Sequence, residues 1–291
     1  IPSVQVTAIC EASDIKKTTY SHTAANLGKI GTNDIDINNI KQYKNYQQML
    51  NSENLDIISV TLPTYMHADY TIQALNAGIH VLCEKPMALT IDECQRMIAA
   101  ANQNAKVLQI AHCIRFWPEY VKAKQIIDSH KYGKVRTADF QRLSAFPTWG
   151  WKNWQQDGSR NGGAMMDLHI HDTDIINHWF GLPVSVFCSA IKGPSGDYDH
   201  IHTHYYYDDD KVVTAEASWL MAPGYNFKMS FTVNLEYATI LFDSTSSPTL
   251  KILTFDNHTY SFPAEEKDGY WHEIEHFVKT VQGENVPQII T

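Results

Sequence analysis

The sequence has few of the features that mark proteins which bind nucleic acid, cross membranes or rely on disulfides. Its net charge is -9 and its 23 lysines and arginines form no basic cluster, which argues against a surface for nucleic acid or an anionic membrane. No apolar run approaches the roughly 18 residues of a membrane span, and no signal-peptide pattern opens the chain. We therefore predict a small-molecule partner, no nucleic-acid partner and no membrane partner.

Cysteine is also scarce. The five cysteines are odd in number and widely spaced, which argues against a disulfide framework and predicts a reducing, cytoplasmic setting. The 291 residues are enough to bury a sizeable core and, at about 100 to 200 residues per domain, predict two domains. Because the chain opens on Ile1 and runs at once into a strand-like segment, we expect native sequence upstream of it.

The hydrophobic pattern changes part-way along the chain. Between Val4 and Ile114, apolar runs of about six residues alternate with segments of helical period, which predicts βαβ units around a doubly wound parallel sheet. Beyond Gly133, short strands separated by polar turns predict a large, mainly antiparallel sheet, interrupted by helices over 163–179 and 270–281.

Together the two patterns predict an α/β protein with a Rossmann-like first half and an α+β second half. We place the boundary near Phe116, which divides the chain into domains of 1–116 and 117–291. Helices on both faces explain the continuous apolar character of the first sheet's strands, whereas the second sheet has too few helices to cover both of its faces.

Polar residues gather where the predicted parallel strands end, which is the edge at which open α/β sheets bind ligands. Glu11 follows the first strand, where a carboxylate can bond both ribose hydroxyls and repel a 2'-phosphate, which favours NAD over NADP. A solvated acid in a turn is an equally good interpretation. The glycine fingerprint expected about 20 residues before such an acid is missing, because Gly28 and Gly31 come too late.

A lysine at the tip of a buried strand is a sharper signal. Lys85 follows the apolar run 79–83 in the tripeptide Glu84-Lys85-Pro86. At the rim of such a strand its ammonium can donate to a substrate oxygen, and Pro86 restrains the lysine backbone to extended conformations. On the tripeptide alone, a surface lysine paired with Glu84 is the more common outcome.

The run 162–172 holds a carboxylate and an imidazole four residues apart, Asp167 and His171. On a helix this spacing puts both on one face, where the carboxylate raises the basicity of the histidine and orients it as a general base. A surface ion pair and a metal site that includes His169 are the alternatives. Because His169 points away from the other two on a helix, one metal bound by all three is disfavoured and we predict none.

Tryptophans precede this helix, and histidines alternate along a later strand. Trp149, Trp151 and Trp154 can wall a polar ligand by stacking on its C–H faces, with core packing as an equal alternative, and we take Trp151 as the substrate-binding candidate. The three histidines of 200–204 share one face, for which solvation or a subunit contact is favoured over a metal site.

Several short segments, taken in order and spacing, resemble the glucose-fructose oxidoreductase, inositol dehydrogenase and MocA (Gfo/Idh/MocA) family of nicotinamide-dependent oxidoreductases. The likeness runs from Val4 to about Thr291. Its marks are the strand end 56–63 followed by His67, the segment 77–86, the run Arg115-Phe116-Trp117-Pro118, the pair Asp167 and His171, and a late helix with Glu275 and Phe277.

The resemblance implies that Lys85 contacts the nicotinamide side and the substrate hydroxyl, that His171 takes the hydroxyl proton, and that Asp167 orients or charges that pair. Beside Glu11, the residues implied near the cofactor are Thr61, Pro63, His67 and Glu84, with Arg115 at the domain junction.

For the two domains, the resemblance implies that the first binds the dinucleotide and the second binds substrate. An open sheet face of apolar and aromatic residues in the second domain would pair subunits into homodimers or homotetramers. The family pattern also places its first strand and glycine-rich loop before Ile1 and a final stretch beyond Thr291, so we expect both domains to be incomplete at their outer ends.

The leading hypothesis is an NAD-dependent dehydrogenase, with NADP as the second option. It moves a hydride between the cofactor and a secondary alcohol or ketone of a sugar, cyclitol or related polyol, with substrate contacts from Lys85, Trp151, Asp167 and His171. The alternatives are a non-catalytic regulatory protein of the same fold that binds nucleotide and sugar, and a zinc hydrolase that uses the histidines.

Overall fold

The computed structural model describes residues 1, 3–12, 39–263 and 265–290. The chain divides into two compact units. The first contains Ile1–Leu62, Met66–Ile110 and Ile274–Pro287, and the second contains Pro63–Tyr65, Ala111–Glu273 and Gln288–Thr291.

The first unit is built on parallel strands, as the alternating pattern predicted. Strands β3, β4 and β5 form a three-stranded sheet in that order, with β3 and β4 parallel, and β1 pairs in parallel with β2. The segment 15–27, whose helical period predicts a helix, lies outside the described residues. The bounds are β1 Ala8–Cys10, β2 Lys41–Tyr43, α1 Tyr46–Ser52, β3 Ile57–Val60, α2 His67–Asn76, β4 His80–Glu84, α3 Ile91–Gln103 and β5 Leu108–Ala111.

The core of this unit lies between the sheet and its helices. Val81 and Cys83 of β4 and Leu75 of α2 are fully buried, which fits a strand that is apolar on both faces. Helix α3 begins with a capping box, in which the Thr90 hydroxyl accepts from the Glu93 backbone N–H and the Glu93 carboxylate accepts from the Thr90 backbone N–H.

The second unit contains an eight-stranded sheet in the order β13-β12-β11-β10-β6-β9-β8-β7. The β6 and β9 pair is parallel and the other neighbours are antiparallel, which confirms the predicted mainly antiparallel sheet. The strand bounds are β6 Val135–Ala145, β7 Ser185–Lys192, β8 Tyr198–Tyr206, β9 Val212–Met221, β10 Lys228–Leu235, β11 Ala238–Asp243, β12 Leu250–Thr254 and β13 Thr259–Phe262.

In the described part of the chain, three α-helices belong to the second unit, and a fourth, α7, contains the division between the two units at Glu273 and Ile274. They are α4 Pro118–Asp128, α5 Gly158–Asn161, α6 Ile170–Phe180 and α7 Gly269–Val281. The helix predicted over 163–179 is divided, because one π turn, Met165–His169, precedes α6. Strands β2 and β13 were not anticipated from the sequence, since each is short and has no run of apolar residues.

The two faces of the large sheet differ in character. On the covered face, Phe140, Phe231 and Phe242 pack with Tyr120 of α4 and Trp179 of α6 into a buried aromatic cluster. The opposite face carries polar, half-buried or exposed side chains that run across neighbouring strands, among them His202, Glu216, Gln141, Ser230 and Asp243.

The expected apolar and aromatic open face is therefore wrong for the centre of the sheet. Alternate positions of the central strands are polar because period-two strands need apolar residues only toward the covered side. Exposed apolar side chains gather instead on edge strand β7 and the segment before it, at Leu182, Val184, Val186, Phe187 and Ile191.

A buried ion pair joins α6 to the large sheet. The Arg142 guanidinium of β6 donates from Nε and Nη2 to the two carboxylate oxygens of Asp172, at 3.1 and 2.9 Å, and both residues are almost fully buried. Burial opposes the charge on Arg142, but the adjacent Asp172 carboxylate holds the pKa of the guanidinium above its ordinary value. The two charges depend on each other, because neither has access to water.

We expect Arg142→Met to destabilise the protein by about 3 to 5 kcal/mol, since it leaves the Asp172 carboxylate buried without its partner. The matched control is Lys124→Met, which removes the exposed Lys124–Asp128 pair of α4 and should change stability by less than about 0.5 kcal/mol. Urea denaturation followed by circular dichroism measures both. Equal, small losses in the two variants would contradict the assigned role of the buried pair.

Candidate functional site

Two polar loops follow neighbouring parallel strands of the first unit. Val60, the last residue of β3, pairs with Cys83 of β4, so Thr61 and Lys85 lie at the same carboxyl edge of the sheet. Thr61 is exposed and Lys85 is half-buried, and the Lys85 backbone N–H donates to Glu84 Oε2 at 3.2 Å. The predicted polar edge therefore exists within this unit.

The other predicted strand-end residue, Glu11, directly follows β1. Its backbone N–H donates to the carbonyl oxygen of Tyr43 at 2.9 Å, which continues the parallel pairing of β1 and β2 by one residue. The side chain is half-buried. Its contact with an adenosine ribose stays a prediction.

His67 connects the loops that follow β3 and β4. Its ring Nδ1 lies 2.8 Å from the carbonyl oxygen of Pro86 and its Nε2 lies 2.7 Å from that of Leu62, and the residue is 1% exposed. Burial, with the nearby Lys85 charge as a lesser cause, lowers the pKa of His67. Because a neutral imidazole carries one N–H, it donates to one of the two carbonyls at a time. The contact of His67 with the cofactor stays a prediction.

In the second unit, Asp167 and His171 flank a change of helix type. Asp167 lies in the π turn Met165–His169 and His171 in the first turn of α6, and both side chains are half-buried. A π turn is wider than an α turn, so the relation of the two side chains is not that of a regular i, i+4 pair. Such turns occur frequently at functional sites.

The glycines before the π turn allow a close backbone approach. Gly163 has φ +66°, and a Cβ atom there would lie 2.7 Å from the carbonyl oxygen of Tyr198 at the start of β8. Gly162 ends α5 in a left-handed conformation. The chain therefore enters the π turn against the sheet through positions that suit glycine.

Four side chains near His171 are held by hydrogen bonds to three other segments of the second unit. This set was missed in the sequence, although the polar run Asp172-Thr173-Asp174, in a helix with buried apolar positions, was an available signal. The bonded pairs are His169 with Thr203, Asp172 with Arg142, Thr173 with Tyr205, and Asp174 with Arg115.

Arg115 belongs to this set. Its Nε and Nη2 donate to the two oxygens of Asp174, at 2.8 and 2.7 Å, and its Nη1 donates to the carbonyl oxygen of Ile289. His112 Nδ1 lies 3.6 Å from Asp174 Oδ2. All three guanidinium nitrogens of Arg115 thus donate to partners within the second unit. A contact of Arg115 with the cofactor stays a prediction.

The tryptophan segment before α5 is accessible. Trp149 and Trp151 are 43% and 39% exposed, and Lys152 Nζ lies 4.5 Å from the centre of the Trp151 ring. Lys152 and Asn153 both have positive φ, which is uncommon for residues other than glycine. Exposed indole faces of this kind can stack on a sugar ring, and the role of Trp151 in substrate binding stays a prediction.

Neither a metal-binding group nor a membrane-spanning helix occurs among the described residues. Over 3–12, 39–263 and 265–290, no three His, Cys, Asp or Glu side chains gather in a group that could hold a metal ion. No helix in the described part of the chain is both long and apolar enough to cross a membrane.

Comparison with known families matches both halves of the chain. Residues 19–112 match the oxidoreductase family with an NAD-binding Rossmann fold, and residues 120–241 match the GFO/IDH/MocA C-terminal domain. The chain belongs to the Gfo/Idh/MocA oxidoreductase family. The resemblance noted from the sequence and the predicted fold class are thereby confirmed.

Among curated relatives of this Gfo/Idh/MocA chain, inositol 2-dehydrogenase of Salmonella typhimurium is 33% identical over 140 residues, which are 48% of this chain and 39% of that protein. The match thus spans about two fifths of the relative's length. An uncharacterized oxidoreductase of Bacillus subtilis, YrbE, is 25% identical over 249 residues, which are 81% of this chain and 71% of that protein.

Solved structures share the fold. Levoglucosan dehydrogenase in complex with NADH and levoglucosan has a TM-score of 0.72 at 21% identity and covers 84% of this chain and 76% of its own. UDP-N-acetylglucosamine 3-dehydrogenase of Acidithiobacillus ferrooxidans has a TM-score of 0.69 at 22% identity, with 86% and 76% covered. At 21% and 22% identity, this likeness shows the fold of this chain alone.

The side chains at the carboxyl edge of β3 and β4 have hydrogen-bonding groups of the kind that a nicotinamide dinucleotide can use. Thr61 is exposed immediately beyond β3, and Lys85 follows β4 at the same edge. A hydroxyl and an ammonium can bond the ribose hydroxyls and the carboxamide of such a cofactor, and this edge is where open α/β sheets bind dinucleotides.

We expect Gly163→Ala to destabilise the protein more than Gly196→Ala. Both glycines have positive φ, but a Cβ atom at Gly163 meets the Tyr198 backbone whereas one at Gly196 meets nothing within 4 Å. The control should therefore lose about 1 to 2 kcal/mol from backbone strain alone, and Gly163→Ala about 1 to 3 kcal/mol more from overpacking. Denaturation midpoints in urea test this, and equal losses would show that the Tyr198 contact is unimportant.

Proposed function

We propose that this protein is an NAD(P)-dependent dehydrogenase acting on a secondary alcohol, or the matching ketone, of a sugar, cyclitol or related polyol. The observation that carries the proposal is Lys85 at the carboxyl edge of a parallel sheet in a family whose Rossmann domain binds NAD. Three of the proteins compared above are named for activity on inositol, levoglucosan or a nucleotide sugar, which supports a polyol or sugar as substrate.

In this proposal the chain's residues handle the proton. His171 accepts the hydroxyl proton of the substrate, and the Lys85 ammonium donates a hydrogen bond to the same oxygen, which stabilises the negative charge that develops there. Asp167 orients His171, and Trp151 stacks on the apolar face of the substrate ring. Nicotinamide, when bound, supplies the acceptor for the hydride that leaves the carbinol carbon.

The proposed cofactor contacts come from strand ends. Glu11 accepts hydrogen bonds from the adenosine ribose hydroxyls, which favours NAD over NADP. The activity assay described below includes both cofactors. The remaining proposed contacts are those implied by the family resemblance, at Thr61, Pro63, His67, Glu84, Lys85 and Arg115.

The competing function is a non-catalytic regulatory protein that binds nucleotide and sugar. Its support is the fold alone, whereas titratable side chains at Lys85, Asp167 and His171 favour catalysis. The full-length protein, mixed with NAD or NADP and a panel of inositols, sugars and anhydrosugars, should produce NADH or NADPH absorbance with at least one substrate. Binding of nucleotide and sugar without any absorbance change would instead support the regulatory function.

Replacing Lys85 with Met in the full-length protein should lower kcat by about 10²- to 10⁴-fold, because the group that stabilises the substrate oxygen is lost. Cofactor affinity, measured by quenching of tryptophan fluorescence, should fall much less than kcat, because Lys85 is one of several proposed cofactor contacts. The control is Lys124→Met, which removes a half-buried lysine of α4 that has no proposed role in the site and should retain full activity. Turnover by Lys85→Met within twofold of wild type would remove Lys85 from the mechanism.

We also propose that the chain forms a homodimer or homotetramer through the polar face of the large sheet. Its support is the continuous row of half-buried or exposed side chains across β9, β6 and β10, such as Thr214, Asp139 and Thr232. Light scattering after size-exclusion chromatography should give a mass of two or four chains.

The variant Thr232→Arg should lower that mass, because it places a bulky charge in the middle of the face. Glu284→Arg, an exposed residue of the first unit, is the control and should leave the mass unchanged. A wild-type protein that runs as a monomer at micromolar concentration would refute the proposal.

A further inference from the structure

We infer that Tyr205 is a positioning residue for His171: its phenolic oxygen bridges the residues two places before and two places after that histidine. The inference deepens the proposed function and rests on it for the activity measurements alone. One of its tests reads the orientation of the His171 ring directly, so that it stands or falls separately from the enzyme assay.

The bridge is formed by a buried hydroxyl on β8. Tyr205 is 4% exposed, and its phenolic oxygen lies 2.7 Å from Thr173 Oγ1 and 3.3 Å from His169 Nε2. His169 ends the π turn and Thr173 lies in the first turn of α6, so one oxygen of the sheet contacts both sides of the junction. His171 stands between the two contacted residues.

The protonation states of the bridge follow from burial. Burial lowers the pKa of His169 and raises the pKa of Tyr205, which keeps the imidazole neutral and the phenol protonated. His169 Nε2 lies 2.9 Å from Thr203 Oγ1, while its Nδ1 is buried and has no hydrogen-bond partner among the described residues.

Because a buried unpaired N–H is costlier than a buried unpaired lone pair, the His169 proton resides on Nε2. That N–H donates to Thr203 and, at a longer distance, toward the Tyr205 oxygen. The Tyr205 O–H cannot donate to a nitrogen that carries a proton, so it donates to Thr173. The direction of each hydrogen bond in the bridge is thus defined, with the His169 N–H shared between two acceptors.

The junction needs such a bond because it lacks the support of a regular helix. Where a π turn meets an α-helix, the register of backbone hydrogen bonds changes, and α6 begins without a side-chain cap. Asp172 and Asp174 are held by arginines, which fixes the helix axis. The Tyr205 hydroxyl fixes the junction itself, on which the direction of the His171 ring depends.

The first test compares Tyr205→Phe with Tyr206→Phe in the full-length protein. Tyr206 is the next residue of β8 and is 52% exposed, so the same substitution is made where no bridge exists. Tyr205→Phe should lower kcat about 10- to 100-fold, since a misplacement of about 1 Å costs this much, with cofactor affinity and melting temperature close to wild type. Unchanged kcat, or a loss matched by Tyr206→Phe, would overturn the inference.

A double-mutant cycle tests whether the two hydroxyls act as one bond. Thr173→Val should lower kcat as much as Tyr205→Phe, and the double variant should be no worse than either single one. Thr173→Ser keeps the hydroxyl and should restore most of the activity. Losses that multiply in the double variant would mean that the two residues act independently and would refute the bridge.

The last test requires no enzymatic activity. The ring carbon–proton NMR signal of His171, assigned by its disappearance in His171→Gln, should shift and broaden in Tyr205→Phe and stay in place in Tyr206→Phe. If no substrate of the panel is turned over but this signal responds as expected, the proposed function fails while the positioning role stands. An unaltered His171 signal in Tyr205→Phe would refute the positioning role whatever the enzyme assay gives.

Discussion

The buried ion pair between Arg142 and Asp172 is the constraint on which the second unit depends. It joins the helix that carries His171 to the middle of the eight-stranded sheet, and each charge is stable there only because the other is present. A well-packed apolar pair could supply similar stability. The charged pair adds a defined geometry, since two parallel hydrogen bonds allow one orientation of the helix on the sheet.

The same principle recurs around both groups of proposed catalytic residues. In the first unit the His67 ring lies between the carbonyls of Leu62 and Pro86, next to the Lys85 backbone. In the second unit, Arg142, Tyr205 and Arg115 hold three consecutive residues that follow His171. Buried polar side chains therefore hold loops and helix ends, while residues proposed to meet the substrate stay half-buried.

Much of the architecture was predictable because period and length are local properties. Apolar runs near 57–60, 80–84 and 108–111 predicted parallel strands, and alternation after residue 133 predicted the antiparallel sheet. The π turn was not predictable, because the sequence 163–179 is compatible with one continuous helix. The polar centre of the open face was also missed, since an apolar uncovered face was assumed from the family resemblance.

The sequence by itself determined the fold class, the family and the three proton-handling candidates Lys85, Asp167 and His171, because these depend on residue type, order and spacing. The tertiary structure decided which polar residues are held by which partners. Arg142 and Asp172 are thirty positions apart, as their bond shows, and Tyr205 and His169 are thirty-six apart. Such pairings arise from the way helix and sheet pack together, and no local pattern in a single chain specifies them.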